Sequence, residues 1–135
     1  MTHFSAPGKQ FISGEWAILE VGSKGLVAAV NRRVHADVKE NGCISISIDD
    51  FKIEDLKADF DGSKLVFRDD ISSVRDKLQF IKEAIEISFM FLDEQKIERK
   101  NFSIRTWVED VSIGSRKIGF GSSAAATVAV IAAVL

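Results

Sequence analysis

The chain has 135 residues, of which 46% are hydrophobic and 28% charged, and its formal net charge is −2. That length suits one domain with a buried core, and the slightly acidic balance argues against a nucleic-acid-binding surface, which needs clustered positive charge. Cys43 is the single cysteine, so an intramolecular disulfide and a thiolate metal cluster are excluded, and a reducing cytoplasm is the expected setting.

Strand patterns fill the N-terminal half of the chain. Ala6-Pro7-Gly8 is expected to break any early strand. One strand is predicted over residues 25–38 and a second over 43–49, where isoleucines alternate with serines. Asn41-Gly42 between them predicts a hairpin, because both residue types tolerate positive φ. Two shorter strands are predicted at 51–56 and 65–68.

The hydrophobic period then changes. Apolar residues recur at three- and four-residue steps from Val74 to Leu92, which predicts a helix over about 72–94. Alternation from Phe102 to Val108 predicts another strand, and a polar loop at 109–117 precedes a second helix. Strands, a long helix, a further strand and a second helix indicate an α+β domain, in which helices pack on a mostly antiparallel sheet.

A glycine- and serine-rich segment leads into the second helix: residues 117–126 read Lys-Ile-Gly-Phe-Gly-Ser-Ser-Ala-Ala-Ala. Gly119 and Gly121 permit positive φ and a close approach of the backbone to a ligand. Ser122 or Ser123 is predicted to cap the helix. The N–H groups of a first helical turn bind anions such as phosphate, and a serine hydroxyl can ligate magnesium. From this segment alone, phosphate binding and simple helix capping are equally open.

A second motif lies near the N-terminus, where residues 6–22 read Ala-Pro-Gly-Lys-Gln-Phe-Ile-Ser-Gly-Glu-Trp-Ala-Ile-Leu-Glu-Val-Gly. Pro-Gly-Lys followed by Gly-Glu, together with the distant Gly-x-Gly-Ser-Ser-Ala-Ala, resembles the GHMP kinases, a family that includes galactokinase, homoserine kinase, mevalonate kinase and phosphomevalonate kinase. The phosphomevalonate kinases commonly have Gly-Glu-Tyr-Ala-Ile-Leu-Glu-Pro-Gly, which residues 14–22 match except at Trp16 and Val21. They also commonly have Arg-Lys-x-Gly-Leu-Gly-Ser-Ser, which residues 116–123 match except at Phe120.

The resemblance implies a fold and a set of roles. The fold is the N-terminal ATP-binding domain of the GHMP kinases, which is ribosomal protein S5 domain 2-like, and it would occupy residues 1–135. Lys9 would lie near the γ-phosphate as the catalytic cation, and Glu15 would orient it through a charge-assisted hydrogen bond. Trp16 would contact substrate, with Glu15, in place of the usual tyrosine. The residues implied to bind the ATP phosphates are Lys117, Gly119, Phe120, Gly121, Ser122, Ser123 and Ala124, with Ser123 also the Mg²⁺ ligand.

Residues 124–135 are uncharged and carry no helix stop signal. They are fewer than the roughly 20 residues that span a bilayer, so a buried core helix is predicted rather than a membrane segment. A helix that is apolar all round must be covered on all sides, which predicts a homodimer or a C-terminal partner portion on the Ala124–Leu135 helix. The resemblance implies that this portion supplies the catalytic base and the acidic magnesium ligand, so phosphoryl transfer by these 135 residues alone is expected to be weak or absent.

The function that the resemblance implies is an ATP- and Mg²⁺-dependent kinase that converts 5-phosphomevalonate to 5-diphosphomevalonate in isoprenoid biosynthesis. Lys117 favours a substrate that already bears phosphate. The alternatives are a mevalonate kinase, another GHMP kinase and a non-catalytic nucleotide-binding module; an RNA-binding module is disfavoured by the acidic balance. His3 and His35 match no motif position and are predicted to be structural or surface residues.

Overall fold

The computed structural model describes residues 1–109, 112–113, 116–117 and 121–135. Two short 3₁₀ helices span Ala17–Leu19 and Asp49–Phe51. The long helix is confirmed, although it begins at Arg75 rather than near residue 72. In chain order, the strands and α-helices are β1 (Thr2–Ser13), β2 (Leu26–Glu40), β3 (Ile44–Ile48), β4 (Ile53–Phe60), β5 (Leu65–Phe67), α1 (Arg75–Glu94), β6 (Phe102–Val108), β7 (Ser112–Ile113), β8 (Arg116–Lys117) and α2 (Ser122–Val134).

Six of the strands form one sheet in the order β1-β2-β6-β3-β4-β5. β3 and β6 are parallel, whereas the other neighbouring strands of this sheet are antiparallel. β7 and β8 form a separate antiparallel pair. A mixed, mainly antiparallel sheet with two helices confirms the predicted α+β class.

The helices and the sheet share one hydrophobic core. Phe89 of α1 is buried at its centre and meets two other rings edge-on, Phe60 of β4 at 5.1 Å and Phe102 of β6 at 5.8 Å between centroids. Ala129 and Val130 of α2 belong to the same core, so the second helix is anchored by packing as well as by its chain connection.

The predicted strand break at Ala6-Pro7-Gly8 is wrong, because β1 runs through it. β1 lies at the edge of the sheet and pairs with β2 alone among the described strands, so the missing N–H of Pro7 is tolerated. The proline is accompanied by a register shift instead. Pro7 lies opposite Arg33, whereas Lys9 lies opposite Ala29.

The hairpin predicted at Asn41-Gly42 is also wrong. β2 and β3 are not neighbours, because β6 lies between them. Two hydrogen bonds hold this segment to the residue before β6. The backbone N–H of Asn41 donates to the backbone carbonyl of Asn101 at 3.0 Å, and the side-chain amide of Asn101 donates to the Gly42 carbonyl at 3.2 Å. The residues of a turn carry no information about a third strand, far along the sequence, that pairs between the two strands they connect.

Candidate nucleotide-binding site

The two sequence motifs meet in the fold. Gly121, at the start of α2, lies so close to β1 that a Cβ added there would be 3.1 Å from the carbonyl oxygen of Lys9 and 3.2 Å from Lys9 Cγ. α2 also packs along β1 and β2. The backbone of the lysine of the first motif therefore lies beside the N-terminus of the helix of the second motif.

α2 begins with a glycine cap, so the prediction of a serine cap is wrong. Gly121 is the N-cap residue, with φ 74° and ψ 34°, and no side-chain cap hydrogen bond is formed at this helix start. The backbone bond from Ala125 N–H to the Gly121 carbonyl measures 3.2 Å. Ser122 and Ser123 thus lie inside the first turn, because glycine takes the left-handed conformation that a side chain disfavours. The Ser122 side chain is half-buried, whereas Ser123 and Ala124 are exposed.

A pocket of about 260 Å³ opens beside this helix start. Its lining includes Ser122 and Ser123 on one side and the aromatic residues Phe51 and Phe80 on another. The Lys77 ammonium lies 5.5 Å from the centroid of the Phe51 ring. Phe51 and Phe80 were missed as site residues in the sequence, where Phe80 follows the helical core pattern; their partial exposure, 39% and 48%, is the signal that only the structure supplies.

A tight turn follows β1 and holds the Gly-Glu part of the first motif. Gly14 has φ 76°, and a Cβ there would lie 2.4 Å from the Lys24 carbonyl oxygen, so only glycine fits. The Ile18 N–H donates to the Gly14 carbonyl at 3.1 Å, which closes the turn into the first 3₁₀ helix. Glu15 and Trp16 are presented on the surface by this turn, with Trp16 78% exposed.

The expected bond between Glu15 and Lys9 is not formed: within the described part of the chain, the ion pairs do not include these two residues. The Lys9 ammonium instead lies 4.8 Å from the centroid of the Phe11 ring. Such a cation–π contact is weak at an exposed position, so it leaves the Lys9 side chain available to an anionic ligand.

Several apolar side chains before and after Trp16 in the sequence are exposed. They come from the end of β1, the first 3₁₀ helix and the start of β2. These exposed residues are Ile12, Trp16, Ile18, Leu19, Val21, Leu26 and Val27.

Part of the second motif cannot be placed. Gly119 and Phe120 lie outside the described residues, and Lys117 is described only by its backbone, which pairs with Ser112 in β7–β8. Along the described ranges, no helix is long and apolar enough to cross a membrane. The same ranges contain no group of three or more His, Cys, Asp or Glu side chains that could hold a metal ion.

No family model matches the chain, but curated relatives do. It is 33% identical over 138 residues to a phosphomevalonate kinase from Streptomyces sp. strain CL190, covering 96% of this chain and 36% of that kinase. It is 29% identical over 133 residues to a mevalonate kinase from Thermococcus gammatolerans, covering 96% of this chain and 37% of that kinase. The homologues of this chain are GHMP-family kinases.

Solved structures agree with the sequence relatives. The Lin0012 protein from Listeria innocua superposes with a TM-score of 0.80 at 30% identity, over 96% of this chain and 34% of that one. Streptococcus pneumoniae phosphomevalonate kinase in complex with phosphomevalonate and AMPPNP gives a TM-score of 0.73 at 25% identity, over 98% and 35%. The chain thus spans about a third of the length of the proteins it matches, and its fold is that of the GHMP kinase N-terminal domain.

Proposed function

We propose that residues 1–135 form the N-terminal ATP-binding domain of a GHMP kinase of the mevalonate pathway. The observation that carries the proposal is the contact between Lys9 and Gly121, beside a pocket lined by Ser122 and Ser123. A helix start that served only to connect two elements would not require the lysine of a distant motif at its N-terminus. A relative of the same fold has been solved with the nucleotide AMPPNP, which supports a nucleotide as the ligand.

The polyphosphate of ATP would bind at the start of α2. The amides of the first helical turn have no acceptor inside the helix, and the helix dipole adds partial positive charge there. Lys9 supplies a full positive charge from the neighbouring strand, where it would stabilise the charge that develops on the transferred phosphoryl group. The proposed phosphate-binding residues are Lys117, Gly119, Phe120, Gly121, Ser122, Ser123 and Ala124.

The base of the nucleotide would occupy the adjoining pocket. Its volume of about 260 Å³ and its aromatic walls at Phe51 and Phe80 suit a flat ring system. Asp50, Asp76 and Lys77 also line it and offer polar groups for the edge of the ring. The pocket and the helix start share Ser122 and Ser123, so a base bound there would direct its phosphates toward Gly121.

The residues at this site fit Mg²⁺ through one side chain. Ser123 is exposed in the first turn, and its hydroxyl oxygen is the ligand type that Mg²⁺ prefers. The remaining positions would be taken by phosphate oxygens and water, since this ion commonly keeps several waters. When bound, the ion would offset negative charge on the polyphosphate.

The acceptor that we propose is 5-phosphomevalonate, giving 5-diphosphomevalonate. An acceptor that already bears phosphate needs cations to offset charge repulsion with ATP, and Lys9 and Lys117 are the candidates. Glu15 and Trp16, both exposed after β1, are the proposed substrate contacts. Mevalonate is the second candidate acceptor, because curated relatives of both kinds match the chain at 33% and 29% identity.

Calorimetry of Mg·ATP binding to the intact chain tests the nucleotide site. We expect Lys9→Ala and Ser123→Ala each to weaken binding by about tenfold or more, since a hydrogen bond to a charged group contributes about 1.5–3 kcal/mol. Lys39→Ala, which removes another exposed strand lysine, is the matched control and should leave the affinity unchanged. Equal affinity in all four proteins would remove the nucleotide assignment.

The acceptor is tested by titrating 5-phosphomevalonate and mevalonate separately into the chain saturated with Mg·AMPPNP. Tighter binding of 5-phosphomevalonate, weakened by Trp16→Ala, is the expected result. Tighter binding of mevalonate would favour a mevalonate kinase. Nucleotide binding without either acceptor would favour the non-catalytic nucleotide-binding module.

The outer side of α2 is the proposed contact surface for a second copy or a C-terminal partner portion. Val128 and Leu135 are each 58% exposed there, although the opposite side of the helix is buried. Sedimentation of the chain at increasing concentration tests for the second copy. Val128→Glu should abolish any dimer; a chain that stays monomeric leaves the partner portion as the proposed cover.

A further inference from the structure

Four titratable side chains form one hydrogen-bonded row on the outer face of the sheet, the face away from the helices. Asp37 and His35 lie on β2, His3 on β1, and Glu109 directly after β6. His3 Nδ1 lies 2.8 Å from Asp37 Oδ1, His3 Nε2 lies 3.2 Å from His35 Nδ1, and His35 Nε2 lies 3.0 Å from Glu109 Oε1. The row, Asp37–His3–His35–Glu109, is called the imidazole row below.

The number of protons in the imidazole row follows from its geometry. Ionised carboxylates only accept hydrogen bonds, so the outer nitrogen of each ring must carry a hydrogen. The central contact joins two nitrogens and needs one hydrogen more. Three protons on four ring nitrogens are one more than two neutral imidazoles hold, so all three bonds can form only when the pair of rings carries one positive charge.

The surroundings of the row favour that charge. Trp107 stacks on His35, with centroids 5.1 Å apart and planes 8° from parallel, and it also contacts His3 at 5.7 Å. The His35 hydrogen bond, followed by the Arg33 amide, holds the pKa of Glu109 below its ordinary value, so that carboxyl stays ionised. The other charged groups near the row are Arg32, Arg33 and Arg105. The Arg33 guanidinium donates hydrogen bonds to Ser5 Oγ and to the Ser5 carbonyl oxygen. The Arg105 guanidinium donates hydrogen bonds to the Asp49 carboxylate.

We propose that His3 and His35 share one proton and form a pH-sensitive clasp across β1, β2 and β6. Imidazole is the side chain whose charge ordinarily changes between pH 5 and 8. When the pair becomes neutral, one of the three bonds must be lost. Two hydrogen bonds then remain, so the clasp is weakened by one bond when the pair is neutral. This inference does not depend on the proposed function.

The sign of the pH dependence follows from proton counting. In the folded chain the three hydrogen bonds require the shared proton, whereas the unfolded chain has no such bonds, so the folded chain holds the extra proton. The free energy that the row contributes to folding is therefore present at lower pH and is lost as the pH rises. Because the folded state holds one extra proton, each rise of one pH unit lowers the folding equilibrium constant by at most tenfold.

Ring-nitrogen NMR of the intact, ¹⁵N-histidine-labelled chain from pH 5 to 9 tests the clasp, and the chain has only these two histidines. We expect the rings to titrate as a coupled pair, with the release of one proton shifting signals of both. Independent titration of the two rings would overturn the proposal. No variant is needed for this measurement, so it cannot fail through misfolding.

Denaturant unfolding at pH 6, 7 and 8 gives a second readout. The folding equilibrium constant of the wild type should fall with rising pH, and His3→Gln should largely remove that fall. Asp59→Asn, which breaks the ion pair to Arg68 at the opposite end of the sheet, is the control and should keep the wild-type pH dependence. The same dependence in His3→Gln as in the wild type would contradict a shared proton.

Discussion

Gly121 packs on Lys9 so closely that a methyl group at residue 121 would lie 3.1 Å from the Lys9 carbonyl oxygen, and one of the two would have to shift. The contact joins an edge strand to the first turn of a helix from the far end of the chain. It also brings the residue that carries the Lys9 cation beside a helix N-terminus, where the backbone already attracts anions. The proposed nucleotide site depends on this one approach.

Gly121→Ala should therefore be costly. The new Cβ would meet the Lys9 carbonyl oxygen at 3.1 Å and would stand on a backbone with φ 74°. We expect a loss of about 1–3 kcal/mol in the free energy of unfolding, measured by chemical denaturation. Gly42→Ala is the control, because a Cβ there meets nothing within 4 Å. Equal stability of the two variants would show that the approach is looser than described.

Gly14→Ala tests the turn that presents Glu15 and Trp16. A Cβ at residue 14 would lie 2.4 Å from a backbone oxygen, so we expect a loss of about 3 kcal/mol or more, seen as a lower denaturation midpoint. Gly22→Ala separates the two causes, because Gly22 also has positive φ, 87°, but open space around it. Its loss should be about 1–2 kcal/mol, from backbone strain alone. Similar losses for both variants would mean that the close approach contributes nothing.

Phe89→Ala should remove the centre of the core. Its ring is buried and meets Phe60 and Phe102 edge-on, so we expect a loss of about 3–5 kcal/mol in the free energy of unfolding. Phe91→Ala, on the same helix with its ring 46% exposed, is the matched control and should cost much less. Thermal unfolding followed by circular dichroism compares them. A larger loss of stability for Phe91→Ala than for Phe89→Ala would contradict the assignment of the Phe89 side of α1 to the core.

Acid should destabilise the fold partly through Asp59. The Arg68 guanidinium donates two hydrogen bonds of 2.8 Å to this carboxylate and holds its pKa below the ordinary value of 3.8. A lowered pKa in the folded state means that the contribution is present above the ordinary value and is lost as the pH falls below it. Asp59→Asn should therefore flatten the fall in unfolding free energy between pH 5 and 2, whereas Asp69→Asn should not. An unchanged profile in Asp59→Asn would show that the ion pair does not persist in solution.

Much of the fold could be predicted from periodicity. The strands at 44–48 and 102–108 and the helix ending at Glu94 follow patterns that depend on one buried face, which local sequence records directly. Strand order could not be predicted in this way. Asn41-Gly42 has hairpin chemistry, yet β6 enters between the strands it joins, and only long-range pairing decides that outcome.

Part of the candidate site could likewise be predicted from the sequence, and part of it could not. The resemblance implies that Lys9 and Gly121 both belong to the site, and the two residues lie close together in the structure, although their roles toward a nucleotide stay a prediction. The pocket at Phe51 and Phe80 could not be foreseen, because it is formed by the relative placement of a 3₁₀ helix, α1 and α2. The imidazole row could not be predicted for the same reason, since its residues come from β1, β2 and the position after β6 and match no motif.

The most direct test of the central claim is the backbone amide spectrum of the ¹⁵N-labelled chain with Mg·AMPPNP and, separately, with adenosine. The account predicts that the amides of Gly121, Ser122, Ser123 and Ala124 shift with the nucleotide and not with adenosine, because they contact the polyphosphate. Amides beside Phe51 and Phe80 should shift with both ligands. Saturating nucleotide that leaves the start of α2 unmoved would contradict the account.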